Sequence, residues 1–484
     1  MQSGNHCMQQ GVLMIKLTDL FNTFNMKVDE RREGLLSEAT IDSRRVIPGS
    51  LFFAMQGERV DGHAYISQAV SAGAQVVVMD KESNVDFPVI EIDKVDSSQT
   101  VSLPDFPFGI KVNNTLTAMQ QIATRQRKCR DIKVIGITGS VGKSSTKELV
   151  AEVLSQRFAT HKNPGNYNNE IGLPLTLMNC GYGQECVVLE MGFYYPGEIK
   201  FLCEIASPEV GIVTNVGTVH AERAGSQQAI TDGKAELIQA LPDDGVAILN
   251  YDDPFVRPMC KKTRSKVLFY GLSPSADLWA DAIQSKGLQG ITFDMHYQES
   301  QYHVQVPLLG RHSVQTILRA AAAGLAMGMN WDEIIRGLQK GHSQLRLVAV
   351  RTETGALILD DTYNATPESM LAALDLLDEL KGHKIAVLGD MLELGAYEAA
   401  GHHQVGEKAA GVVNHLITVG KLGRIIADTA RKAGLPENAI TSVNDSSEAI
   451  EILKYNLSAD DVVLIKGSHG LRMDTISATL EKTQ

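Results

Sequence analysis

Cysteine is scarce in this chain: six residues in 484, with no C-x-x-C pair. That scarcity argues against a disulfide framework and against a zinc site. Long apolar runs are missing too; none approaches the roughly eighteen residues that a membrane-crossing helix needs. The first residues, Met1 to Val12, lack the basic start and apolar stretch of a secretion signal, and 1–14 reads as a flexible extension. Positive charge is in deficit, with 45 Lys and Arg against 57 Asp and Glu and a net charge of −12. Such a surplus repels polyphosphate backbones, so no nucleic-acid partner is expected. The one basic cluster, Arg125, Arg127, Lys128 and Arg130, reads as a solvated helix end. The expectation is a soluble, cytoplasmic protein without a membrane span.

What is present is ordinary globular composition, 44% hydrophobic and 21% charged. At roughly 150 residues per domain, the length suggests about three domains. Residues 15–110 mix short strands (Ser50 to Ala54, Gln75 to Met79) with helix from Tyr65 to Ala72. The stretch from Asp80 to Phe108 is rich in Asp, Ser and Pro and leads to a domain edge near 110. Over 111–340, short apolar runs alternate with helical periods: Lys133 to Ile137, Cys186 to Leu189, Val210 to Val213 and Val246 to Leu249. Over 341–484 the pattern recurs with Ala356 to Leu359, Ile385 to Leu388, Leu416 to Val419 and Val462 to Ile465. Strands alternating with helices predict an α/β fold on parallel sheets.

One motif carries chemistry directly. Ile132 to Thr146 sets a glycine-rich turn between a strand and a helix, with Gly139, Ser140, Val141, Gly142, Lys143, Ser144 and Ser145 in sequence. Glycines permit the tight turn, so backbone N–H groups and the helix N-terminus can face phosphate oxygens. Lys143 would reach the β- and γ-phosphates, and the Ser144 hydroxyl would ligate Mg²⁺. The strict Walker pattern wants glycine at 137, where isoleucine stands, and the nearest is Gly136. Glu190 ends a buried strand, where a carboxylate can hold a cation. His220 and Lys234 follow; alone, the first reads as a satisfied histidine and the second as a solvated charge, since an ammonium has no acceptor for a metal. The pair His402-His403 diverges on a helix, so at most one is structurally placed.

With these residues in view, the sequence resembles the ATP-dependent Mur ligases, and within them the branch that adds D-alanyl-D-alanine. The resemblance rests on Gly136 to Ser145, Asn166 to Pro174, Glu190-Met-Gly, Asn215 to His220, Lys234-Ala-Glu, Asp42 to Ala54, Asp61-Gly-His63, Asp360 to Met370, Leu388 to Gly395 and Lys466-Gly-Ser468. It implies an N-terminal UDP-sugar-binding domain (15–110), a central P-loop ATPase domain (111–340) and a Rossmann-like C-terminal domain (341–484). It implies that UDP-N-acetylmuramoyl-tripeptide and D-alanyl-D-alanine are joined at the expense of ATP through an acyl phosphate, by a monomer. Lys143, Glu190, His220 and Lys234 would then be the catalytic set. Two Mg²⁺ ions would be held by Ser144, Glu190, His220 and a carbamylated Lys234. Arg346 and Asp361 would join the phosphate loop on ATP. Ser43, Arg44 and His63 would face the UDP end, and Asn166, Asn168, Asn169, Tyr363, Asn364 and Ala365 the rest of the substrates.

The family's Gly-x-His-Asn-x-x-Asn segment near the adenine reads Gly310-Arg-His-Ser-Val-Gln-Thr316 here, with Ser313 and Thr316 replacing both asparagines. Hydroxyls still hydrogen-bond, but not as two-sided amides. A sister ligase adding a diamino acid to the dipeptide precursor, folate polyglutamylation, a small-molecule kinase and a non-catalytic nucleotide-binding subunit are the alternatives. The first usually carries an Asp-Asn-Pro-Arg-like segment where this chain has Tyr363-Asn-Ala-Thr-Pro367.

Overall fold

A strand covered on both faces is written as an unbroken apolar run, and the chain is built on several of these. The computed structural model describes residues 15–29, 34–57, 60–94, 100–217, 225–340 and 348–481. The expected extension 1–14 lies outside them. By internal contacts the chain divides into two units. One comprises the chain up to Gly136 with Phe158–Gly192 and Glu198–Glu209; the other comprises Ile137–Arg157, Phe193–Gly197 and the chain from Val210 on.

In the first unit a five-stranded sheet runs Ala39–Thr40, Leu51–Phe53, Val76–Met79, Phe108–Lys111, Val89–Glu91, all parallel. Phe52, Val77 and Met79 pack with Ile66 and Ala69 of the helix Ile66–Ser71 on one face. A nine-stranded sheet has the order Thr160–Lys162, Cys186–Glu190, Lys133–Thr138, Val210–Val213, Val246–Asn250, Lys266–Gly271, Leu278–Ser285, Ile291–Tyr297, Ser300–Val306. Its last three strands form an antiparallel meander in which Asp281, Asp294, Gln301 and His303 interrupt the apolar positions. Val187, Val188 and Leu189 are fully covered, each burial being worth roughly 1.5–3 kcal/mol over exposure.

A six-stranded sheet in the second unit runs Val348–Arg351, Leu357–Asp360, Asp461–Lys466, His383–Gly389, His415–Val419, Ile440–Val443, parallel except for its first strand. Strand residues alternate between its faces, as the two-residue period requires. Ala386, Leu388, Leu416 and Leu464 join one core with Leu374 and Leu377 of the helix Pro367–Glu379. Val387, Ile417, Val463 and Ile465 join the other with Leu453 and Ile476. The result is the α/β architecture on parallel sheets that the alternating pattern predicts.

The basic cluster is not wholly solvated. Arg127 is 9% exposed; its Nε donates to Ala206 O at 2.9 Å, and its Nη2 to Ser207 O and Glu209 Oε1 at 3.2 Å each. It closes the carboxyl end of the helix Glu198–Ala206, whose last carbonyls have no partner within the helix. Among the described residues, no helix is long and apolar enough to cross a membrane.

Candidate active site

The phosphate loop stands between the strand Lys133–Thr138 and the helix Lys143–Leu154. Gly139 at φ +146° is required twice over: its backbone is one that side chains rarely adopt, and a Cβ there would fall 1.8 Å from Thr214 Oγ1. The loop is clamped from the segment after the strand Val210–Val213. Val141 N–H donates to Asn215 Oδ1 at 2.9 Å, while Asn215 Nδ2 donates back to Val141 O at 3.1 Å. Thr214 Oγ1 donates to the same carbonyl at 2.7 Å, and Gly217 N–H to Ser140 Oγ at 2.8 Å. Lys143 Nζ lies back on the loop, donating to Gly139 O at 2.7 Å and Ser140 O at 3.2 Å. Ser144 is buried in the first turn of the helix. A helix N-terminus, two glycine turns and a lysine on one loop form an anion cradle.

Lys234 sits on the helix Gln227–Gln239, 1% exposed, with its Nζ 4.9 Å from the centre of the Phe193 ring. Burial, and then the nearby charge of Lys143, hold its pKa well below the ordinary lysine value. A neutral amine is the form that reacts with carbon dioxide, so the environment suits the modification that the family resemblance implies.

Glu190, in the first unit, is 2% exposed. Asn168 Nδ2 donates to its Oε1 at 2.8 Å, and Asn163 holds its backbone on both sides, accepting from Glu190 N at 2.9 Å and donating to Glu190 O at 3.1 Å. Asn168, expected to face substrate, orients Glu190. Asn169 Oδ1 accepts from Gly172 N at 2.9 Å at the start of the helix Gly172–Met178, and Asn166 is exposed. The hydroxyl of Ser144 and the carboxylate of Glu190 are hard oxygen donors of the kind Mg²⁺ takes.

Near the N-terminus, Ser43 Oγ donates to Gln68 Oε1 at 3.0 Å. Arg44 makes a fork to Asp42, Nε to Oδ1 at 2.9 Å and Nη2 to Oδ2 at 2.7 Å, which lowers the Asp42 pKa to about 2. His63 lies between two carboxylates, Nδ1 2.6 Å from Asp61 Oδ1 and Nε2 3.2 Å from Asp80 Oδ1. Toward the C-terminus, Asp361 is held by the buried Lys466, Nζ to Oδ2 at 2.6 Å, and Lys466 also donates to Asn364 O at 2.9 Å. Tyr363 is exposed, whereas the Ala365 side chain belongs to the core. Ser313 Oγ donates to Leu309 O at 2.6 Å, and Thr316 Oγ1 accepts from Arg319 Nη2 at 2.7 Å. His220 and Arg346 lie outside the described residues.

Sequence reasoning names the loop but not its clamp. Asn215 opens one of the segments that carry the resemblance, but nothing in that segment shows that it grips Val141; Thr214 only follows a buried strand, and Asn163 behind Glu190 carries no motif.

A phosphate-binding loop ahead of a parallel α/β sheet, with a buried, deprotonation-prone lysine in the same unit, defines a nucleotide-using enzyme. Family models agree in three stretches: "Mur ligase family, catalytic domain" over 36–127, "Mur ligase middle domain" over 137–324 and "Mur ligase, glutamate ligase domain" over 345–469. The chain belongs to the Mur ligase family. Among its relatives is the UDP-N-acetylmuramoyl-tripeptide–D-alanyl-D-alanine ligase of Bacillus subtilis (strain 168), 34% identical over 90% of this chain and 91% of that one. Solved structures of MurF from Acinetobacter baumannii (TM-score 0.82, 28% identity, 97% of this chain and 99% of that one) and of MurF ligase from Thermotoga maritima in complex with ADP (TM-score 0.76, 27%, 92% and 96%) are similar to it.

Proposed function

We propose that this chain is the ATP-dependent ligase that joins D-alanyl-D-alanine to UDP-N-acetylmuramoyl-tripeptide, giving the pentapeptide precursor of peptidoglycan, ADP and phosphate. The full-length likeness to relatives of that activity carries the reading, and the built phosphate loop agrees with it. A carboxylate does not condense with an amine in water, because its leaving group is poor. Transfer of the γ-phosphoryl to the tripeptide carboxylate gives an acyl phosphate. The amine of D-alanyl-D-alanine then attacks the carbonyl carbon, loses a proton, and inorganic phosphate departs.

Phosphoryl transfer asks the protein chiefly for position and charge. Gly139, Ser140, Val141 and Gly142 are proposed to shape the turn around the phosphates, with the N–H groups of Ser140 and Val141 held by Asn215; the first helical turn, Ser145 included, would supply backbone donors, and Lys143 would leave its loop carbonyls to reach the β- and γ-oxygens. Two Mg²⁺ ions, when bound, supply the positive charge that lets two anions meet. Ser144 and Glu190 are proposed to hold the first, and Glu190, His220 and carbamylated Lys234 the second. The neutral Lys234 amine would add to carbon dioxide and release a proton, turning an amine into an anionic oxygen ligand. Arg346 and Asp361 are proposed for the nucleotide. Ser43, Arg44 and His63 are proposed for the UDP group, and Asn166, Asn168, Asn169, Tyr363, Asn364 and Ala365 for the peptide and dipeptide. The same reading makes the enzyme a cytoplasmic monomer and keeps the domain division 15–110, 111–340 and 341–484.

The test is phosphate release from ATP and Mg²⁺ with the UDP-linked tripeptide and each candidate amine in turn. Release that needs both the tripeptide and D-alanyl-D-alanine, with a pentapeptide mass, is expected. Turnover with the dipeptide precursor and a diamino acid instead would assign the chain to the sister branch.

A further inference from the structure

The helix Ser313–Ala326 packs against the helix Lys143–Leu154 that follows the phosphate loop. Its Arg319 is 4% exposed. The guanidinium has two partners, both hydroxyls: Nη2 donates to Thr316 Oγ1 at 2.7 Å and Nη1 to Tyr270 Oη at 3.3 Å. The buried Nε has no hydrogen-bond partner, and among the described residues no carboxylate pairs with the group. Tyr270 stays a neutral phenol, since burial raises its pKa.

The cation faces the loop. A Cβ built on Gly142 would lie 3.1 Å from Nη2 and 3.8 Å from Cζ of Arg319. Gly142, at φ +83°, is the residue from which the helix Lys143–Leu154 starts. A buried guanidinium therefore abuts the positive end of a helix dipole, with Lys143 next in sequence. Burying a charge beside others of its own sign is costly unless an anion offsets it. Thr316, one of the two departures from the family's asparagine pattern, is the nearer of the two residues that hold Arg319 in place.

We propose that Arg319 is a positioning residue for the nucleotide: it braces the Gly142 turn, and its charge is balanced by the polyphosphate of a nucleoside di- or triphosphate. The proposal rests on the phosphate loop's being the nucleotide site. It goes further in making affinity depend on a residue outside the loop and in grading that dependence by phosphate charge.

Full-length wild type, Arg319→Met and Arg319→Lys are titrated calorimetrically with AMP, ADP and a non-hydrolysable triphosphate analogue, with Mg²⁺ and without tripeptide or dipeptide. Arg319→Met is expected to weaken ADP roughly tenfold to thirtyfold, the size of a lost contact to a charged group. The loss should be smaller for AMP and larger for the triphosphate, while the nucleotide-free melting temperature holds or rises. Lysine, which restores charge but not the two-armed grip, should recover part of the affinity. A loss equal across the three nucleotides, ADP affinity within about twofold of wild type, or a fall in melting temperature with affinity kept would each overturn the proposal. If Arg319→Met does not fold, Thr316→Val keeps the charge but loosens its hold; unchanged ADP affinity there would overturn it as well. An inactive ligase with the graded ADP loss intact sinks the ligation reading alone, and an active ligase with a flat series sinks this one alone.

Discussion

Replacing Asn215 separates what the phosphate loop needs for folding from what it needs for its ligand. The side-chain amide accepts from Val141 N–H at 2.9 Å and donates to Val141 O at 3.1 Å. Alanine removes both bonds with unequal effect: the carbonyl keeps its bond from Thr214 Oγ1, while the N–H is orphaned. An orphaned buried donor costs about 1–3 kcal/mol. Aspartate keeps the acceptor for Val141 N–H and loses only the donor, so Asn215→Asp should be more stable than Asn215→Ala. It also sets a negative charge beside a cradle for anions. At an effective dielectric near 20, two like charges about 8 Å apart repel by on the order of 2 kcal/mol, which is more than tenfold in affinity. The expected ranks therefore cross: melting temperature wild type, Asp, Ala; ADP affinity wild type, Ala, Asp. Differential scanning fluorimetry and ADP titration read the two series, and the Asp deficit should shrink with added salt. Parallel ranks in both series would refute the idea that this amide works on the loop through geometry and neutrality together.

Three further outcomes follow from charges elsewhere. Lys234→Met should abolish ligation yet leave ADP binding within a few-fold, as read by turnover and titration side by side. Because burial and Lys143 lower the folded-state pKa of Lys234, the unfolded chain binds more protons, so stability rises with pH toward the unfolded value and is lost as pH falls. Wild type in carbonate-free buffer should therefore lose more stability than Lys234→Met from about pH 9 to about pH 6; equal slopes would mean that the buried amine is not the cause. Arg44→Ala removes an exposed fork, so the melting temperature should hardly move while KM for the UDP-linked substrate rises; an unchanged KM would remove Arg44 from the substrate site.

How much of this was legible in sequence depended on the range of the interactions. Runs such as Cys186 to Leu189 or Val462 to Ile465 are covered on both faces, so hydrophobicity alone marks them, and the strands Cys186–Glu190 and Asp461–Lys466 extend each by a residue or two. The meander from Leu278 to Val306 escaped because its polar positions, Asp294 and His303 among them, break every run. Gly139, Gly142 and Lys143 could be read because glycine and lysine at that spacing have one common use. Asn215 grips a residue 74 positions away, and the worth of Arg319 depends on a helix laid beside Gly142; neither contact leaves a local pattern. Arg127 misled for the same reason, since its partners, Ala206, Ser207 and Glu209, are distant in sequence.

Lys143 already holds two carbonyls of its own loop, and Asn215 and Thr214 hold the turn between them. These bonds all run within the chain, so the shape of the cradle does not depend on contacts to a phosphate, and binding should exchange one set of polar contacts for another and order little chain. The calorimetric signature of nucleotide binding to this loop should be a small heat-capacity change and a modest entropy term, the reverse of a loop that folds around its ligand.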